Sequence, residues 1–453
     1  MKLYDPAKID RNGVLFDNRS LCWLIGPIVV EQLLGSLMGM VDTMMVSTVG
    51  SQALSAVALV DSINNLVLQI FSAMAAGAAI VCSQSIGSGN RDESNRAAQQ
   101  VMLTVLTVSL SITAFCAVGG EKLLRLIFGS VEPAVMQNAR IYFMITVLSY
   151  PFLALFSAGS ALYRASGNSK FPTKISILAN VINVTGNAAF IYGCHWSVAG
   201  AALATLLSRI FCAVAVLVCL RRPQQVISMR NYSRIRPDLP LILKIMAISI
   251  PAGIENGMFQ FGKLAIQSTV STMGTIAISA QAMTDIFEVM DGIFSNSVGL
   301  GLMTVVGQCI GARRKEEAKY YVVKLMRVAW IGVLVSCLSV LAIAKPVTHL
   351  SGMDPAAADL CFRLVAAMTV VKPLVWVGAF GLPYGLRAAG DAKFTMTVSV
   401  CTMWGCRVAL CVFLARVFHL GLICVWIGMF ADWGIRAILF TRRFVSEKWL
   451  HLN

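Results

Sequence analysis

Charge, histidine and paired cysteine are what this chain has least of. Only 13% of its 453 residues are charged, against roughly 25% in a soluble domain, so a globular enzyme is a poor fit. The four histidines, His195, His349, His419 and His451, lie near or beyond the ends of apolar runs. No HExxH, GxSxG or Walker sequence occurs, which argues against a metalloprotease, a serine hydrolase and an ATP-driven step. The 13 cysteines stand singly in apolar surroundings, without a CxxC pair or a Cys/His cluster. They read as small, reduced core residues rather than metal ligands. The first 20 residues are polar and offer no apolar stretch before a small-residue cleavage site, so a cleaved signal peptide is not expected.

What is present is apolar length. Apolar residues make up 57% of the chain, and about 20 in a row suffice to cross the bilayer core as a helix. Twelve runs qualify: 21–47, 53–83, 97–118, 140–163, 172–193, 198–220, 241–270, 277–308, 321–344, 358–385, 394–416 and 420–440. The expected fold class is therefore an all-α polytopic membrane protein with twelve transmembrane helices. The net charge of +15 could suggest nucleic acid, but its distribution argues otherwise. With the N-terminus placed inside, the inner segments hold 26 Lys and Arg and the outer segments six. The positive-inside rule then places both termini in the cytoplasm of a multi-pass cell-membrane protein.

The chain also repeats itself. Val46-Ser-Thr-Val-Gly-Ser-Gln-Ala-Leu-Ser55 returns 224 positions later as Val270-Ser-Thr-Met-Gly-Thr-Ile-Ala-Ile-Ser279. The same shift pairs Pro27 with Pro251, Glu31 with Glu255, Asp61 with Asp285, and Gly77 with Gly301. A shift of 223 carries Arg164–Phe171 onto Arg387–Phe394. Repeats decide architecture. Residues 1–20 form a cytoplasmic segment, 21–220 a six-helix lobe, and 221–240 a polar, basic linker. A second six-helix lobe follows over 241–440, then a tail over 441–453. Six spans per copy give both copies one orientation, as in parallel repeats about an axis along the membrane normal with the cavity between lobes.

Gln84-Ser-Ile-Gly87 and Gln308-Cys-Ile-Gly311 are joined by Val41-Asp-Thr-Met-Met-Val46 in the first span and Gly200-Ala-Ala-Leu-Ala-Thr205 in the sixth. Leu162-Tyr-Arg-Ala-Ser-Gly167 and Leu386-Arg-Ala-Ala-Gly-Asp391 follow the fourth and tenth spans. Together and in order, these motifs resemble the bacterial type of the MATE (multidrug and toxic compound extrusion) family over about residues 21–440. The resemblance implies a secondary antiporter that exports organic, often cationic, compounds by alternating access against inward H⁺ or Na⁺. It implies no cofactor, no ATP and no nucleic-acid partner. The expected partners are the lipid bilayer and small organic substrates, with the chain working as a monomer. A lipid-linked precursor flippase or polysaccharide exporter of the same broader superfamily is the alternative.

An ionisable side chain inside a membrane helix is a functional candidate by default. Asp42 matches the family's aspartate of a cation or proton site. The matching partners are Asn183, Asn187 and Thr205, with Asn183 and Asn187 one turn apart on one face. Position 187 departs from the commoner family aspartate. The site then holds one carboxylate among neutral oxygens, which offers Na⁺ weaker attraction and suits a proton carrier better. In the second lobe two family acids are replaced by Phe259 and Trp376. Glu255, one turn before Phe259, is the candidate substitute, and Lys263 lies two turns beyond it. Asp285, Glu288 and Asp291, three apart, are expected to form one acidic wall of a substrate cavity. Arg407 adds a cation, and Asp432 with Arg436 reads as an i,i+4 ion pair.

Overall fold

The structure, a computed structural model, describes residues 4–5, 13–129, 132–223, 225–229, 235–418 and 420–451. Within them the chain is helical, with spans close to those the hydropathy predicts. The first six are α1 (Asn18–Ser47), α2 (Ser51–Gly87), α3 (Arg91–Phe128), α4 (Pro133–Leu148 and Tyr150–Ala165), α5 (Lys170–Gly193) and α6 (Ser197–Leu220). The second six are α7 (Leu239–Ser271), α8 (Thr275–Gly311), α9 (Lys315–Leu350), α10 (Pro355–Ala388), α11 (Ala392–Val417) and α12 (Ile423–Val445).

The boundaries follow from local chemistry. Gly50 and its counterpart Gly274 take φ of 137° and 93° between the first two helices of each copy, a region only glycine enters without cost. Asp17 precedes α1 and accepts from Ser20 N at 2.8 Å. This hydrogen bonding by Ser20 holds the Asp17 carboxyl below its ordinary value. The Asn90 side chain caps α3 through Glu93 N at 3.1 Å, and Asp354 caps α10 through Ala356 N at 2.8 Å.

Hydropathy predicts one span over 140–163, in which Pro151 can bend the helix. The chain bends by 45° between the two pieces of α4. Pro151 follows the break and has no N–H for the ladder, while the Ser149 hydroxyl donates to the Thr146 carbonyl at 2.6 Å. Three spans contain a π turn: Ala188–Gly193 in α5, Val377–Gly381 in α10 and Met403–Val408 in α11. The turn in α10 explains a slip in the repeat. Pro133 and Pro355 differ by 222, as do Pro151 and Pro373, yet Arg164 and Arg387 differ by 223. One extra residue enters α10 between Pro373 and Arg387, where the Leu382 N–H bonds back five residues to the Val377 carbonyl.

The helices form two compact units, Cys22–Gly253 and Ile254–Asn453 together with Met1–Leu21. Composition separates 1–20 as a cytoplasmic segment and 221–240 as a linker, and the described residues of both pack against a unit. The described part of 221–240, which lacks 224 and 230–234, is strapped to the first unit. Arg91 Nη2 donates to the Pro223 and Gln225 carbonyls at 2.9 Å, Asn95 accepts from Ser228 N at 2.8 Å, and Gln100 Nε2 donates to the Arg236 carbonyl at 2.9 Å. Farther along, Gly77 leaves room for α7: a Cβ there would come within 2.1 Å of Ser249 Oγ. The described N-terminal residues bind the second unit, with Phe16 N donating to Tyr321 OH at 2.9 Å and Leu15 N to Glu317 at 2.6 Å.

Within each unit one helix is central. The apolar stretch of α2 is 61% buried and that of α8 is 72% buried, whereas that of α1 is only 17% buried. The counterparts Asp61 and Asp285 both sit on these central helices.

Candidate functional site

In the first unit, α1, α5 and α6 bring Asp42, Asn187, Asn183 and Thr205 into one hydrogen-bonded chain. Asn187 Nδ2 donates to Asp42 Oδ1 at 2.7 Å and to Asn183 Oδ1 at 3.3 Å. Asn183 Nδ2 continues to Thr205 Oγ1 at 3.3 Å. Asn183 and Asn187 share a face of α5, and the π turn begins immediately after Asn187. Both asparagines are buried, and Asn187 Oδ1 has no hydrogen-bond partner. An unpartnered buried acceptor beside a carboxylate is a high-energy arrangement that a proton or a hard cation relieves.

Other members of this cluster escaped sequence reasoning. Asp61 on α2 accepts from Asn64 Nδ2 at 3.1 Å and from the Tyr142 hydroxyl at 3.5 Å. The Tyr150 hydroxyl donates to Asn64 Oδ1 at 2.8 Å. Arg209 on α6 donates to Ser149 Oγ at 2.6 Å. It makes no ion pair among the described residues, although the charges of Asp61 and Asp42 both act on it. Asp61 was visible as the repeat partner of Asp285, and Arg209 as an ionisable residue inside an apolar run.

In the second unit the acidic stripe of α8 does not form one wall. Asp285 is exposed, Glu288 is half-buried and Asp291 is fully buried. Steps of three residues advance 300° around a helix of 3.6 residues per turn, so the stripe drifts about 60° per step. Asp291 therefore turns into the packing, where Lys372 Nζ lies 4.0 Å from Oδ2 and Cys337 Sγ donates to it at 3.6 Å. Lys372, also overlooked in the sequence, has no exposed surface. Its ammonium donates to the Glu288 carbonyl at 2.7 Å and lies 3.8 Å from Glu288 Oε1.

Glu255 is likewise no free cavity acid. Its Oε1 accepts from Arg387 Nη2 at 2.9 Å. The same pair exists in the first unit, where Arg164 Nη1 lies 3.4 Å from Glu31 Oε2. Glu31 and Glu255, and Arg164 and Arg387, are repeat counterparts, so the duplication kept an ion pair from the first helix of each lobe to the end of the fourth. Trp376 belongs to an aromatic stack: its ring is 4.1 Å from Phe380 and 4.9 Å from Trp433, with Lys372 at 4.3 Å.

Asp285, Arg407, Lys263 and Phe259 remain. Gln281 Nε2 donates to Asp285 Oδ1 at 2.7 Å, and Trp426 Nε1 fixes Gln281 from behind at 3.0 Å. Arg407 lies within the π turn of α11, 5.4 Å from the centre of the Phe259 ring, and Lys263 Nζ lies 5.2 Å from the same ring. The predicted pair is also formed, with Arg436 Nε donating to Asp432 Oδ1 at 2.6 Å.

Comparison with known proteins agrees with this architecture. The MatE family model matches residues 27–189 and again 251–413, once in each half. The chain is 26% identical to the uncharacterized transporter YisQ of Bacillus subtilis, over 99% of this chain and 97% of that protein. It is 24% identical to the probable multidrug resistance protein NorM of Thermotoga maritima, over 95% of this chain and 93% of the relative. Its fold superposes on an outward-facing multidrug resistance MATE family transporter of the MOP superfamily with a TM-score of 0.88. That match has 16% identity and covers 95% of this chain and 96% of the other.

Proposed function

The chain belongs to the MatE family, and from that premise we propose that it is a secondary antiporter exporting small organic compounds across the cell membrane in exchange for H⁺, with Na⁺ as the second candidate. The carrying observation is the Asp42–Asn187–Asn183–Thr205 chain with its unpartnered Asn187 oxygen. One carboxylate can alternate between charged and neutral without rearranging the amide and hydroxyl oxygens around it. Protonated, Asp42 gains a donor; ionised, it keeps the Asn187 amide as donor. A Na⁺ ion would find hard oxygen ligands in the same place but only one formal charge.

Coupling requires that the bound ion favour one state of the transporter over the other by a few kcal/mol. The asymmetry of 26 inner against six outer Lys and Arg supports both termini in the cytoplasm. The working unit is proposed to be a monomer.

Inside-out vesicles offered a fluorescent organic cation test the reading, energised first by a pH gradient alone and then by a Na⁺ gradient alone. Dye accumulation under the pH gradient is expected. Accumulation under the Na⁺ gradient only would replace the coupling ion, and accumulation under neither would end the antiport reading. Asn187→Asp adds a second carboxylate beside Asp42 and is expected to strengthen the Na⁺ dependence of efflux. An unchanged dependence would mean that residue 187 does not face the ion.

A further inference from the structure

Most charges inside the spans of the second unit are paired. Glu255 pairs with Arg387, Asp432 with Arg436, and Lys372 serves Glu288 and Asp291. Three others, on α7, α8 and α11, are not. Asp285 has an amide as its hydrogen-bond partner, while Arg407 and Lys263 make no ion pair among the described residues.

Arg407 is the most costly of the three. It is 6% exposed, and its Nε is buried with no hydrogen-bond partner. An unmet charged donor is tolerated where a bound partner meets it. Its backbone setting is also built rather than incidental. The π turn Met403–Val408 shifts the register of α11 at this residue, and such turns concentrate at functional positions. Gly428 of α12 lies against that turn so closely that a Cβ would come within 2.8 Å of the Arg407 carbonyl. Arg407 and Lys263 also share the Phe259 ring, at 5.4 and 5.2 Å. Arg436, already paired with Asp432, lies 6.0 Å from the same ring; cations gathered at one ring repel one another, and an anion placed with them removes that repulsion. Asp285 makes no ion pair among the described residues, and the charges of Glu288, Lys263 and Arg407 act on it. The set thus combines two cations, an aromatic ring and one acid on α7, α8 and α11.

We propose that this set is a subsite for a zwitterionic organic substrate: Arg407, assisted by Lys263, takes its carboxylate, Phe259 takes its flat apolar body, and Asp285 takes its cationic centre. The subsite rests on the reading of the chain as an exporter of small organic compounds and names the class it carries. A guanidinium matches a carboxylate with two parallel hydrogen bonds, which an ester cannot accept with the same strength.

The full-length protein is tested with rhodamine B, a zwitterion with a free carboxylate, and its ethyl ester, a cation with the same ring system. Binding is read by fluorescence polarisation in detergent and transport in vesicles. The parent is expected to prefer the acid. Arg407→Gln is expected to weaken the acid roughly tenfold or more, as for loss of a hydrogen bond to a charged group, and not to weaken the cationic ester, from which it removes a like charge. Asp285→Asn is expected to weaken both dyes. Arg407→Lys keeps the charge without the fork and is expected to fall between; it decides the matter if Arg407→Gln does not fold. Equal binding of the two dyes, or an equal effect of Arg407→Gln on both, overturns the subsite and leaves the antiport reading standing. Binding of neither dye overturns the subsite too, and the antiport reading falls with it only if gradient-driven uptake of organic cations is also absent.

Discussion

Across one shared register the two units keep the same scaffold and carry different chemistry. Glu31, Gly35, Gly39, Asp42 and Asp61 of the first correspond, 224 residues on, to Glu255, Phe259, Lys263, Ile266 and Asp285 of the second. The outer members of the series are identical: both glutamates pair with the arginine ending the fourth helix, and both aspartates sit on the central helix. The middle members have diverged. The first unit has open space beside Gly35 and Gly39 and a carboxylate at Asp42. The second fills those places with a ring and an ammonium and buries Ile266 where the carboxylate stood. The constant positions hold helices together, and on the proposed function the divergent ones would give ion handling to the first unit and substrate handling to the second.

The sharpest way to break this division is Asp42→Asn, which keeps side-chain size and removes the first unit's candidate coupling charge. Gradient-driven efflux is expected to fall to the level of protein-free vesicles while the variant still inserts. Full efflux would move coupling to Asp285, and the two units would no longer divide the work. Next in size is Lys372→Met, which strands Glu288 and Asp291. Breaking a buried pair costs about 3–5 kcal/mol, so thermal unfolding in detergent is expected at a clearly lower temperature. Adding Asp291→Asn is expected to restore part of the loss, and a purely additive double variant would show that the two side chains do not interact.

The duplicated ion pair allows a finer comparison. Glu255→Gln and Glu31→Gln each remove a charge-assisted contact worth about 1.5–3 kcal/mol. The effect is expected to be larger at Glu255, where the contact is 2.9 Å rather than 3.4 Å. A reversed order in unfolding temperature would show that contact distance does not rank the pairs. The smallest effect is expected at the turn before the third helix of each unit. Gly89 holds φ of 76°, and its counterpart Arg313 holds φ of 59°. A left-handed non-glycine residue costs roughly 1–2 kcal/mol, part of which glycine returns as backbone entropy. Arg313→Gly is therefore expected to raise stability by at most about 1 kcal/mol, and a clear loss would mean the side chain is held by its surroundings.

Much of this was legible from residues alone. The Asp42, Asn183, Asn187 and Thr205 set was named from motif resemblance, and the structure brings all four together. The acidic stripe of α8 was legible as a stripe but not as three different environments, since a 60° drift per step matters only once neighbouring helices are in place. Asp61, Arg209 and Lys372 carried the plain signal of charge inside an apolar run. Glu255 was legible as a polar position, while its commitment to Arg387 depended on a residue 132 positions away.

The spans, their number, the duplication and the positive-inside asymmetry were decided by sequence, because a bilayer imposes a length of about 20 apolar residues and a charge bias that local composition expresses directly. The pairing of charges, the size of the bend in α4, the π turns and the edges of the two units, which fall inside α1 and α7, were decided only by tertiary structure. A buried charge is neutral in effect or costly according to what stands within about 4 Å of it, and that distance is set by which helices pack together and how each is rotated.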